Sequence, residues 1–215
     1  MKAALCYKGI FNINYINTKG IDDDFVKSFD EISKNHYDHI RKPLTDLGYD
    51  IFTVASTYDV TTLNSLYTKK FSIDEIKLLD INNIQRGTWY CQLRHYQNII
   101  DSIMNQELTG GLFDLIVLTR PDIEMLMGWK DLNLDLSKFN IMFQHTSGNC
   151  DDNLWIFKRS FLEIFEKAVD DLIRQSKITH EMNHAITALG GQVHFAYDFV
   201  LNEAKSGTDV FAYVR

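Results

Sequence analysis

The run Leu115-Ile116-Val117-Leu118 sets the first constraint on this chain. A short apolar stretch with Gly110-Gly111 before it and Pro121 after it suits a strand buried on both faces. Such strands belong to parallel sheets covered by helices on either side. Yet Arg120, Asp122 and Glu124 follow at once, spaced two apart. Unpaired charge at the end of a central strand costs several kcal/mol per ion. The three must therefore be compensated by one another, by a metal, or by an anionic ligand.

The rest of the chain supplies matching elements. Ala3 to Tyr7 is an apolar strand closed by Lys8-Gly9, and "YDIFTVASTY" (49–58) is rich in β-branched and aromatic residues. Between them Phe25, Phe29, Ile32, His36, Ile40 and Leu44 recur at helical spacing, with Gly48 suited to the C-cap. A short helix (59–68) and the segment 73–81 come next. A long helix should start at Thr88 and carry Trp89, Leu93, Tyr96, Ile100 and Ile103 on one stripe. Strands at 139–145, 152–159, 192–199 and 209–215 and helices at 161–173 and 179–189 complete the order. Strand–helix alternation predicts an α/β fold, a mostly parallel Rossmann-like central sheet with helices on both faces. Residues 1–215 read as a single domain. The strand-like ending suggests that further domains of the same polypeptide follow.

Composition narrows the function. The formal charge of −7 gives no general attraction for nucleic acid. Cys6, Cys91 and Cys150 are widely separated and lack metal-ligand spacing, as expected of core residues in a reducing compartment. No apolar run reaches the ~20 residues of a membrane span. A soluble, cytoplasmic protein is the expectation. "YKGIFNINY" has one glycine and no GxGxxG, which removes P-loop and Rossmann dehydrogenase readings.

In open α/β sheets, ligands bind beyond the carboxyl ends of the strands. Asp122 and Glu124 are hard oxygen donors suited to Mn²⁺ or Mg²⁺, and Arg120 can grip phosphate oxygens in a bidentate way. Equally, Arg120 and Asp122 can simply pair around Pro121. "FDLIVLTRPDI" resembles the metal-binding strand of the GT-A glycosyltransferases, which ends in an Asp-x-Asp motif holding the metal and the donor diphosphate. "AALCYKG", "WYCQLRHYQNIIDSI" and "CDDNLWIFKRSFLEIF" resemble the family's first strand, the helix before the metal strand, and a later acidic segment. Length and Asn/Lys/Ile-rich style resemble an N-terminal glycosyltransferase domain in a multidomain protein of chlorella viruses, which implies viral glycan synthesis in the host cytoplasm. Arg120 stands where the family has its first Asp. Either Asp122 with Glu124 carries the metal, or Arg120 replaces part of its charge and metal dependence is weak.

The resemblance implies transfer of a hexose or deoxyhexose from a nucleotide-diphosphate sugar, with a UDP-sugar the expected donor, to a glycan hydroxyl. It makes Asp152 the candidate base for the acceptor, with a solvated turn carboxylate as the plain alternative. It makes His194 a third metal ligand beside Asp122 and Glu124, against an ordinary strand histidine; His145 carries a weaker flag of the same kind. Tyr7 and Gly9 would bracket the nucleoside, Thr57 would lie alongside, and Tyr58 would stack on a base. Arg86, before the Thr88 helix, is unfavourable against the helix dipole unless a donor phosphate sits there, and is otherwise a surface residue. Gln92 flanks the apolar stripe and could reach the donor from its edge. The rival functions are a non-catalytic nucleotide-sugar binding module and a nucleotidyltransferase.

Overall fold

A computed structural model describes residues 1–9, 22–58, 61–79, 88–145, 147–197, 200–201 and 211–213. Seven strands form the central sheet: β1 (Lys2–Lys8), β2 (Asp50–Tyr58), β3 (Glu75–Leu79), β4 (Leu115–Thr119), β6 (Phe139–Ile141), β8 (Leu154–Lys158) and β9 (Val193–Phe195). Their order is β3-β2-β1-β4-β8-β6-β9. Within it, β8 alone runs antiparallel to its two neighbours, β4 and β6. The mostly parallel sheet expected from the sequence is the one observed. Outside it, β5 (Ile123–Met125) pairs with β11 (Phe211–Tyr213), and β7 (Gln144–His145) with β10 (Val200–Leu201).

The 2-residue alternation of β1 sorts its side chains into two cores. Ala3, Leu5 and Tyr7 face α1 (Asp23–His36), which contributes Phe25, Phe29 and Ile32. Ala4 and Cys6 face the long α4 (Thr88–Gly110), through Leu93, Tyr96, Ile99, Ile100 and Ile103. The same second layer holds Phe165 and Val169 of α5 (Leu162–Arg174), and Met182 and Ile186 of α6 (Met182–Ala188). Helices thus cover both faces. The helix α1 begins on Asp22, whose carboxylate accepts the Phe25 N–H at 2.9 Å. It continues through a π-turn (Tyr37–Arg41) into α2 (Lys42–Asp46), and Gly48, at φ +85°, ends the run in a conformation that favours glycine. The helix α3 (Thr61–Lys70) precedes β3.

Where the sequence suggested single long strands, the chain breaks. Residues 139–145 form β6 and β7, because the Asp151 carboxylate takes the Phe143 N–H that a continued ladder would have used. The three cysteines are buried and form no disulfide among the described residues. Among the described residues, no helix is long and apolar enough to cross a membrane.

His36 ties α1 to the chain after β4. Its Nε2–H donates to the Ile123 carbonyl at 2.6 Å, and its ring packs against Tyr7 and Phe71. Burial pushes its pKa down from 6.5 to about 4, against the hydrogen bond to Ile123. The folded protein then binds fewer protons at His36 than the unfolded chain does between pH 6.5 and 4. This contribution is present above pH 6.5 and lost as pH falls through that window. In urea titrations at pH 7 and pH 4.5, wild type should lose more stability than His36→Gln on acidification, the difference being of order 3 kcal/mol at most.

Candidate active site

Strand order places the site. The chain lays β1, β2 and β3 outward in one direction, then returns through α4 to put β4 on the other side of β1. The carboxyl ends of β1 and β4 therefore flank a topological switch point, where open α/β sheets make a crevice. Three segments meet there: Lys8 at the end of β1, Arg120 and Asp122 after β4, and Asp152 just before antiparallel β8. Register explains the third, since Leu154 of β8 pairs with Thr119 of β4.

Alternation also puts Lys8 on the same side as Ala4 and Cys6, against α4. Its ammonium lies 4.8 Å from the Tyr96 ring centroid and 5.9 Å from that of Trp155, in cation–π contact. It donates to Asp152 Oδ2 at 2.6 Å, and the two side chains are only 3% and 4% exposed. Burial alone would raise the Asp152 pKa, but Lys8, Arg120 and His180 outweigh it and hold the carboxyl well below its usual range. Burial draws the Lys8 pKa down while Asp152 pulls it back up. We take the pair as fully ionised, because Asp152 has cations on two sides.

Arg120 extends the network. Its Nε and Nη2 form a fork onto Asp122 at 2.8 and 2.7 Å, and its Nη1 lies 3.6 Å from Asp152 Oδ1. Pro121, between them, fixes one φ and the short spacing lets both side chains meet. The result is a row of alternating charge, Lys8–Asp152–Arg120–Asp122. Lys8 and Asp152 form its buried end; Arg120 and Asp122, at 26% and 15% exposure, form its accessible end.

Asp151 and Asp152 point apart, as neighbours in extended chain do. Asp151 accepts the N–H groups of Phe143 and Asn153 at 3.0 and 3.2 Å, and burial pushes its pKa up to about 7 against those bonds. Its carbonyl accepts the Trp155 indole N–H at 2.7 Å. His180 bonds the Cys150 carbonyl through Nδ1 at 2.8 Å, and His145 meets its ring edge-on. Below Lys8, Ser56 contacts His95 Nδ1 at 2.9 Å and accepts from Asn98 at 3.1 Å. Burial and then Lys8 bring the His95 pKa down to about 3, so that ring is neutral.

The other predicted residues scatter. Tyr7 is buried in the α1 core against Phe71 and His36. Tyr58 is buried, with its ring perpendicular to that of His95. Thr57 is buried, and its hydroxyl has no hydrogen-bond partner among the described residues. Gly9, at φ +87°, turns the chain out of β1 while its N–H donates to the Ser56 carbonyl. Gln92 accepts from the Thr179 hydroxyl at 2.9 Å. Arg86 lies outside the described residues.

Asp122, Glu124 and His194 do not converge. Glu124 is exposed in the middle of β5. His194 donates to the Asn133 carbonyl from edge strand β9, three strands beyond β4 or roughly 14 Å. Among the described residues no three His, Cys, Asp or Glu side chains are grouped to hold an ion. Asp122 also gives both oxygens to Arg120. As arranged, these residues do not fit a divalent metal.

Sequence reasoning missed Lys8, Tyr96 and Trp155. One signal was available for Lys8: it continues the Ala4, Cys6 alternation and so had to point inward. Asp151, the other carboxylate before the same apolar strand, is held by backbone groups and turned away from the row.

No protein-family model matches the sequence, and no curated protein matches it. Among solved structures, the chain is similar to the crystal structure of a glycosyltransferase involved in the glycosylation of the major capsid of PBCV-1. Identity is 9% and the TM-score 0.47, over 91% of this chain and 82% of that one.

The buried pair makes a direct prediction. Lys8→Met leaves buried Asp152 with only the longer contact to Arg120 and should cost about 3 kcal/mol in urea unfolding. Lys8→Met with Asp152→Asn should recover most of that loss. A double variant no more stable than the single one would show that Lys8 acts through packing alone.

Proposed function

We propose that the chain is a GT-A-like glycosyltransferase that moves a hexose or deoxyhexose from a nucleoside-diphosphate sugar to a hydroxyl of a glycan acceptor. A UDP-sugar is the expected donor. The observation that carries this reading is the alternating row of charge at the switch point between β1 and β4. Cations there can stabilise a departing diphosphate, the main electrostatic task of such a transfer.

In the step itself, the bond from the sugar's anomeric carbon to the diphosphate oxygen breaks, and that electron pair leaves with the nucleoside diphosphate. The acceptor oxygen forms the new bond to the anomeric carbon and gives its proton to a base. Asp152 is a weak base while Lys8 and Arg120 hold it ionised, since a base works best with its pKa near the operating pH. A donor that draws those cations toward its diphosphate would raise the Asp152 pKa and equip it to take the proton.

The mutual satisfaction of all four charges also favours a second reading, a nucleotide-sugar binding module without turnover. Incubation with a panel of UDP-sugars separates the two. The enzyme should hydrolyse its donor slowly without acceptor, and Asp152→Asn should lower transfer to an added glycan by about 10²–10⁴-fold. Tight donor binding with no release of UDP under either condition would favour the module.

A further inference from the structure

We propose that the donor diphosphate is held at this site without a divalent cation, by Arg120 at the rim and Lys8 beneath it; the inference rests on the glycosyltransferase reading. A divalent ion bound between protein and diphosphate needs carboxylate oxygens turned outward to meet it. Here those oxygens are taken. The Arg120 fork engages both oxygens of Asp122, and Lys8 and Arg120 flank the two oxygens of Asp152. Glu124 and His194 point elsewhere, and no grouping among the described residues replaces them.

The two cations also stand where an ion's charge would be needed, between the carboxyl ends of β1 and β4. A guanidinium matches phosphate oxygens in the same forked geometry in which it now holds Asp122, so a phosphate can compete with that carboxylate for the Arg120 fork. Lys8 is strung between a carboxylate and two aromatic faces, and an incoming anion would offset the cost of burying its charge. A polar atom beside the row adds to the case. Tyr96 Oη is buried and has no hydrogen-bond partner among the described residues. It can donate to a phosphate oxygen, and Tyr96 carries the ring over which Lys8 sits.

Calorimetric titration of the intact chain with UDP, in excess EDTA and separately in excess Mn²⁺, tests the proposal. The two dissociation constants should agree within about threefold, and Arg120→Met should weaken binding by about tenfold or more in both media. Because Arg120→Met strands Asp122, the double variant Arg120→Met/Asp122→Asn is measured beside it, with thermal unfolding to establish that it is folded. It should show the same loss. Binding that requires Mn²⁺ and vanishes in EDTA overturns the metal-free site and leaves the glycosyltransferase reading standing. Undiminished binding by the folded double variant overturns the role of Arg120. Absence of UDP binding in both media removes the parent reading and this inference with it.

Discussion

A lysine ammonium buried beside a carboxylate, 2.6 Å apart and covered by two aromatic rings, is the contact on which this end of the molecule depends. Neither charge could be left there alone, because desolvation in the interior costs several kcal/mol per ion. Lys8 belongs to the first strand and Asp152 to the approach to the eighth. The pair can form only when β4 is seated between them and the antiparallel β8 is in register. It therefore reports on the assembly of the whole sheet, and it fixes where the second cation must lie.

That second cation, Arg120, resolves the puzzle of charges following a buried strand. It stands between two carboxylates and serves both, so the row from Lys8 to Asp122 is neutral overall and alternates in sign. A neutral, mutually held row is a stable resting state at low dielectric. It is also one that an incoming polyanion can reorganise, because each cation has an alternative partner of the same kind.

Much of the architecture was legible in the chain. The alternation of β1, the Phe25–Leu44 periodicity, the stripe on α4 and the apolar run of β4 each specify an element and its buried face, because burial of a repeating apolar pattern is a local demand. The site was legible only in part. Arg120 and Asp122 stand out because charge beside a buried strand is conspicuous, whereas Asp152 was singled out only through the family resemblance. The pairing of Arg120 with Asp122 was one of two arrangements open to that spacing. Tyr7 and Tyr58 lie at strand ends as expected, but their rings turn into the cores, where Phe71 and His95 offer better packing than an open cleft. His194 falls on the far edge because β6 and β8 intervene between β9 and β4, an ordering that no single segment encodes.

By itself the amino-acid sequence determined where most strands and helices fall, that they alternate, and that charge collects after Thr119. Those features arise from periodicity and from the cost of leaving apolar surface in water, and both act over short stretches. Only the tertiary structure decided that Lys8 meets Asp152 across 144 residues of chain, that Arg120 closes the gap between two carboxylates, and that Glu124 and His194 lie away from that row. Ion pairing depends on strand order and register, and these are settled by the packing of all the elements together.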